Sequence, residues 1–204
     1  MKLYWSSRSP FVRKVMVCAH ETGLASRIEL VRTLVVMSKP NLDLMRENPL
    51  GKIPTLITDE GKVLHDSLLI CEYLDSLHRG PRMFPEGGNA RWQALLWHAL
   101  GTGMLDALVL WRNEMLKPQA QQGADLLAAF ELKTRRAVDA LEQEAAQLAA
   151  TPFGIGHIAI GVALAYIDFR FPELEWRRGH PAIAAWYETF AQRPSAQQTM
   201  PVDA

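Results

Sequence analysis

The sequence predicts a small α/β domain followed by an all-α domain. Three observations carry this. Over roughly the first 78 residues, short apolar runs and one helical pattern alternate in the order β-α-β, then a loop, then β-β-α. A stretch rich in glycine and proline follows, with Gly80, Pro81, Pro85, Gly87 and Gly88, and residues 79–88 read as a linker. Beyond it no strand pattern recurs, and long segments repeat apolar residues every three or four positions.

The elements follow in order. Lys2 to Trp5 is a short apolar run that reads as a buried strand, and the polar turn Ser6 to Ser9 closes it. Pro10 then opens a helix whose apolar face carries Phe11, Val15, Cys18 and Ala19 and which Gly23 stops. Serine before proline marks a helix start, because proline gives up an amide that would be unpaired there anyway. Ile28 to Leu34 alternates as a second strand, so the crossover implies two parallel strands. Pro40 to Glu47 reads as a short helix, and Asn48 to Pro54 as a turn-rich loop. Thr55 to Thr58 and Val63 to His65 flank the hairpin turn Asp59-Glu60-Gly61-Lys62, and a helix starts near Ser67.

In the second half, Arg91 to Leu116 presents Trp92, Leu95, Leu96, Ala99, Leu100, Met104, Leu108 and Trp111 as one stripe. Ala124 to Ala149 presents Leu127, Phe130, Thr134, Val138, Leu141, Ala145 and Leu148. Ile155 to Phe169 is apolar on nearly all sides, the pattern of a central buried helix, and a last amphipathic helix covers about Pro181 to Gln192.

Composition narrows the function. The chain of 204 residues is 49% hydrophobic and 22% charged, as in ordinary globular proteins. Its 22 basic and 22 acidic side chains give a formal net charge of +0, which removes the electrostatic case for nucleic acid or an anionic membrane as partner and favours self-association. The two cysteines, Cys18 and Cys71, stand at no metal-site or redox-motif spacing, which fits a reducing compartment. With no apolar signal core at the start and no apolar run long enough to span a bilayer, a cytoplasmic protein is the expectation.

Three places suit chemistry, and each also has a structural reading. The turn with Ser6, Ser7 and Ser9 precedes a helix N-terminus, where free amides and the positive dipole end favour an anion; a serine hydroxyl there either donates to a thiolate or caps the helix. In Lys52-Ile53-Pro54 a proline enters a strand. A cis bond there would present the backbone groups of Ile53 to a peptide-like ligand, whereas a trans bond would only start the strand. Asp66-Ser67 begins another helix and either holds the amine and carboxylate of a ligand or caps that helix. Together the three suit the parts of a small zwitterionic thiol peptide. Cys18 and Cys71 fall on inferred buried faces and read as packing residues, not a redox pair.

Ser9-Pro10-Phe11-Val12-Arg13-Lys14-Val15, Asn48-Pro49-Leu50-Gly51-Lys52-Ile53-Pro54 and Asp66-Ser67 resemble, in this order, the motifs of serine-type glutathione transferases. Ala163 to Pro172 and Trp176 to Pro201 resemble a bacterial branch of that family. The resemblance implies a thioredoxin-like domain at 1–78 and a helical domain at 89–204. It implies a homodimer, glutathione as co-substrate without a metal, and conjugation of an apolar electrophile in detoxification. Carried over residue by residue, Ser9 is the thiolate-stabilising hydroxyl, with Ser6 and Ser7 as alternatives. Lys39 and Lys52 lie near the glycine carboxylate, Ile53 and Pro54 face the cysteinyl part, and Asp66 and Ser67 hold the γ-glutamyl end. Trp5, Phe11, Met104, Leu108 and Trp111 are candidates for the second-substrate pocket. An isomerase, dehalogenase or peroxidase on the same scaffold, or a binding module without catalysis, are the alternatives. One departure stands out: relatives start the central helix with Ser/Thr-x-x-Asp, and this chain reads Gly154-Ile155-Gly156-His157, with His157 as a structural residue.

Overall fold

The computed structural model describes residues 1–203. They pack as two units, residues 1–86 together with the chain from Pro194 onward, and Gly87–Arg193. The segment after Pro194 therefore belongs with the first unit, although the sequence reading set all of 89–204 in the helical domain. Its helix, with the polar sequence PSAQQ, has no apolar stripe to reveal it.

The first unit is thioredoxin-like. Strands β1 (Lys2–Trp5), β2 (Glu29–Arg32), β3 (Thr55–Ile57) and β4 (Val63–His65) form one four-stranded sheet in the order β2-β1-β3-β4. β1 and β2 are parallel, as the crossover requires, and β3 and β4 run antiparallel to their neighbours. Helix α1 (Pro10–Glu21) makes the crossover, and Gly23 at φ 72° ends it where a side chain would be strained. Helix α2 (Ser67–Ser76) packs against α1. Leu3, Leu56 and Leu64 from the sheet, Val15 and Cys18 from α1, and Ile70, Cys71 and Leu74 from α2 are buried. Each large apolar side chain so buried is worth about 1.5–3 kcal/mol. The helix read at 40–47 is one 3-10 turn, Leu44–Arg46, preceded by a side-chain cap in which Asn41 accepts from the Leu44 amide. Buried Asp75 gathers the start of the linker: its carboxylate accepts from the Met83 and Phe84 amides and meets His78 Nε2 at 2.8 Å.

The second unit is all helical: α3 (Gly88–Met115), α4 (Ala124–Ala150), α5 (Ile155–Arg170) and α6 (Pro181–Ala191). Helix α5 is buried without interruption from Ile155 to Ile167, as its sequence implies, and α3 crosses it closely. Gly101 makes that approach feasible, since a Cβ there would stand 2.6 Å from the Ala159 carbonyl carbon. The buried face of α4, from Phe130 to Leu148, is the predicted one. The face of α3 is so only in part, Met104, Leu108 and Trp111 being the members of the predicted stripe that are buried. Trp97, His98, Gly101, Met104, Leu105, Leu108 and Trp111 are buried, whereas Trp92 and Leu96 are 72% and 62% exposed. The predicted stripe passed over Trp97 and Leu105 as well as His98 and Gly101. By length and composition α3 would also suffice to cross a membrane, with a mean hydropathy of 1.3 over its best window; its inner face packs on α4 and α5.

Helix α7 (Pro194–Gln198) returns to the first unit and packs on α1. Arg13 Nη2 donates to the Ala196 carbonyl at 3.2 Å, and the Ser195 hydroxyl bonds Glu21.

Candidate functional site

Register brings the three sequence-derived sites to one edge. Tyr4 on β1 pairs with Thr55 on β3, and Thr55 pairs with His65 on β4, so these residues form one row across the sheet. The next residues outward along the chain are the turn after Trp5, the Ile53-Pro54 bond before Thr55, and Asp66-Ser67 after His65. β2 runs parallel to β1 and leaves at the same end, with the Thr33 amide donating to the Trp5 carbonyl at 2.8 Å. The loop that carries Lys39 starts from there. Four separate segments thus converge on one sheet edge, and the N-termini of α1 and α2 both open onto it.

At the first segment Ser9 is the N-cap of α1. Its backbone is extended, φ −82° and ψ 117°, and its Oγ accepts from the Val12 amide at 3.3 Å. That bond uses an oxygen lone pair and leaves the hydroxyl proton for another acceptor. Capping and donation to a thiolate are therefore compatible. Ser7 differs: its hydroxyl donates to the Val202 carbonyl at 2.9 Å. Ser6 Oγ accepts from the Arg8 amide at 3.4 Å.

At the second segment the Ile53-Pro54 peptide is cis. Asn48 holds the loop, its amide donating to the Lys52 carbonyl at 3.1 Å and to Thr55 Oγ1 at 3.0 Å, and Thr55 Oγ1 also donates to the Lys52 carbonyl. These bonds leave out the backbone N–H and carbonyl of Ile53. Lys52 and Lys39 are exposed.

At the third segment Asp66 has φ 78° and ψ 128°, a conformation that disfavours side chains other than glycine and is worth about 1–3 kcal/mol of strain. Such strain persists where the surroundings impose it, and it clusters at ligand sites. Asp66 Oδ1 accepts from the Leu68 amide at 2.7 Å, capping α2, and its second carboxylate oxygen makes no bond in that cap. Ser67, buried at the first position of α2, makes no side-chain hydrogen bond among the described residues. The unusual backbone of Asp66 carried no sequence signal, since aspartate at a helix start has an ordinary reading as a cap.

The remaining candidates separate. Trp5 and Phe11 are partly exposed beside the Ser6–Ser9 turn. Met104, Leu108 and Trp111 are buried, and Trp111 packs on Phe171 at a centroid distance of 4.5 Å. These three pack in the core of the helical unit, Leu108 fully and Met104 and Trp111 nearly so. Cys18 and Cys71 are fully buried, with Cys18 Sγ 3.7 Å from the Cys71 carbonyl. Hydrogen bonding with the Cys71 side chain, and then burial, hold the Cys18 thiol well above its ordinary range, against any nucleophilic role. A cleft of about 200 Å³ in the helical unit is lined by Thr134, Val138, Trp176 and His180, and two of its charged side chains are paired, Arg135 with Glu131 and His180 with Asp139.

His157 performs the task of the missing capping box. The Gly154 amide donates to its Nδ1 at 3.2 Å, and its Nε2 lies 3.0 Å from the Leu148 carbonyl. A carbonyl only accepts, so Nε2 carries the proton and the ring is neutral. Burial holds its pKa below the ordinary histidine value, the bond to Leu148 opposes this, and the charge of Arg193 adds to the lowering. A polar residue three positions after Gly154 was the available signal.

Both halves of the chain are similar to known proteins. Residues 8–77 match the family model of the glutathione S-transferase N-terminal domain, and residues 124–189 that of the C-terminal domain. The chain is 32% identical over 203 residues to the GST-like protein YibF of Escherichia coli (strain K12), covering 98% of each chain. A crystal structure of a glutathione transferase family member from Pseudomonas fluorescens Pf-5 with bound glutathione is 44% identical, covers 98% of each chain and superposes with a TM-score of 0.95. A second structure from that organism, with bound S-(propanoic acid)-glutathione, is 43% identical with a TM-score of 0.91, covering 99% of this chain and 100% of that one. The chain belongs to the glutathione S-transferase family.

Proposed function

We propose that this chain binds glutathione at the sheet edge of its first unit, ionises the thiol and conjugates it to an apolar electrophile. The observation that carries the reading is the convergence of the segments with Ser9, Ile53-Pro54 and Asp66-Ser67 on one end of the sheet, next to the row Tyr4, Thr55 and His65 and beside two helix N-termini. The strained Asp66 and Ser67 take the γ-glutamyl amine and carboxylate. The free backbone groups of Ile53, beside Pro54, pair with the cysteinyl residue. Lys52 and Lys39 attract the glycine carboxylate. The bound glutathione of the Pseudomonas structure supports this assignment.

The chemistry then follows. A free thiol has a pKa of about 8.5, and lowering it by two units requires about 2.7 kcal/mol. A helix N-terminus supplies about 0.3–1 kcal/mol to an anion, up to about 2 where partly buried. A charge-assisted bond from the Ser9 hydroxyl supplies about 1.5–3 kcal/mol. Together they span about 1.8–5 kcal/mol, which brackets the requirement, whereas the helix terminus alone falls short of it. The thiolate attacks the electrophile and the leaving group departs with its electron pair.

The exposed Trp92 and Leu96, one turn apart on α3, support a homodimer with these side chains in the interface. The test of the activity is glutathione conjugation across a panel of electrophiles, with calorimetry of glutathione alone. Turnover with binding supports the transferase. Binding without turnover on any electrophile leaves the silent binder, and no binding contradicts the whole reading.

A further inference from the structure

We infer that His180 is a pH-sensitive clasp: its charged ring holds the connection between α5 and α6 onto α4, and loss of one proton releases that connection. The observation behind it is a ring with an acceptor at each nitrogen. Nδ1 lies 2.7 Å from the Trp176 carbonyl and Nε2 2.9 Å from Asp139 Oδ1. A carbonyl and a carboxylate only accept, so both nitrogens carry protons and the ring is an imidazolium. His157, in the same unit, meets one donor and one acceptor and is neutral. The two rings therefore need opposite protonation states.

The clasp joins segments 41 positions apart. One turn beyond Asp139 on α4, the Glu142 carboxylate accepts from the Ala182 and Ile183 amides at 3.0 and 2.8 Å and so caps the first turn of α6. That cap does not involve His180, so α6 keeps its seat on α4 when the ring changes charge. The connection before α6 has no such second tie to Asp139. Its Glu173, Leu174, Glu175, Trp176 and Arg178 form one wall of the cleft of about 200 Å³, opposite Thr134, Arg135 and Val138 of α4. Release of the clasp frees that wall and widens the cleft.

The surroundings favour the charged ring. Burial opposes it, since the side chain is only 18% exposed. The bonds to Asp139 and the Trp176 carbonyl, with the negative charges of Asp139 and Glu142, outweigh burial and raise the pKa above the ordinary histidine value. The bond from His180 in turn holds Asp139 below the ordinary carboxylate value, helped by the charges of the ring and Arg136. Of the other charges nearby, Arg135 pairs with Glu131 and Arg177 with Asp168, while Glu173, Glu175 and Arg178 line the cleft. α6 carries no acidic or basic side chain before Glu188. A neutral ring has one N–H, so one bond is lost and a lone pair faces an oxygen. The clasp is thus complete below about pH 6.5, weakens as the pH rises through the raised native pKa, and is open above it.

Nuclear magnetic resonance of the full chain tests this. The ring signals of His180 are those missing in His180→Gln. At pH 6 both ring nitrogens carry protons, and the titration midpoint lies above about 6.5. Asp139→Asn keeps an oxygen acceptor and removes the charge, so the midpoint falls. The Arg178 and His180 amides bond the Glu175 and Arg177 carbonyls within the connection. Their exchange with solvent, corrected for its intrinsic pH dependence, rises about tenfold or more across the midpoint, the effect of losing a charge-assisted bond. His180→Gln abolishes the step, and Asp139→Asn moves it to lower pH along with the midpoint. A midpoint at or below 6.5 overturns the inference, and so does a raised midpoint without a step in exchange. A step that persists in His180→Gln also overturns it. If that variant does not fold, a step left in place by Asp139→Asn does the same.

Discussion

Replacing Ser9 with alanine separates the cap bond that its hydroxyl makes in this structure from the donation to a thiolate that we propose for it. The cap bond to the Val12 amide is 3.3 Å long, at the weak end of such contacts, so its loss should cost about 0.5–1 kcal/mol of stability. Donation to a thiolate is worth more, about 1.5–3 kcal/mol. At 1.36 kcal/mol per unit, the pKa of the bound glutathione thiol should rise by one to two units in Ser9→Ala. Turnover near neutral pH should fall about ten- to hundredfold and partly recover in alkali. Affinity at low pH, where the thiol is protonated and other contacts dominate, should change little. The assay is an ultraviolet thiolate titration of bound glutathione in wild type and mutant. Identical titration curves would refute the reasoning, and the role would pass to Ser6 or the helix amides, because the Ser7 proton is engaged by Val202.

Two further predictions concern the scaffold. The neutral His157 ring accepts from Gly154 only while unprotonated, and its native pKa lies below the unfolded value of about 6.5. Between these two pKa values the unfolded chain binds more protons, so the stability that His157 contributes should be complete above about pH 6.5, decline as the pH falls toward the native pKa, and level off below it; parallel urea-midpoint curves for wild type and His157→Gln between pH 7.5 and 5 would contradict this. Gly101→Ala should destabilise by about 1–3 kcal/mol, since its Cβ would meet the backbone of Ala159, whereas Gly103→Ala, with nothing within 4 Å, should stabilise by about 0.5–1 kcal/mol. Denaturant midpoints shifting in the same direction for both would count against the close α3–α5 approach.

The four strands and helices α1 and α2 were legible from short local signals: proline after Ser9, glycine at the hairpin, the apolar run of β1 and the alternation over Ile28 to Leu34. The candidate site was legible as three separate motifs, and the sheet register brings them to one end of the sheet. What was not legible depended on long-range contacts. Apolar periodicity cannot distinguish a face turned inward from one such as Trp92 and Leu96 left outside, and it passes over Gly101, whose importance is the absence of a side chain. The hydrogen bond from Ser7 to Val202 joins residues 195 positions apart, and no local pattern announces it. The strain at Asp66 was hidden because aspartate is a common cap whatever its φ.

Titration calorimetry of glutathione against wild type and Asp66→Asn tests the binding edge most directly. Asparagine keeps the cap and tolerates the positive φ, so the change removes chiefly the charge. The account predicts binding to the wild type, weakened about tenfold or more in Asp66→Asn, as expected for a charge-assisted bond of about 1.5–3 kcal/mol. Absence of binding to the wild type, or equal affinity in a folded Asp66→Asn, would contradict it.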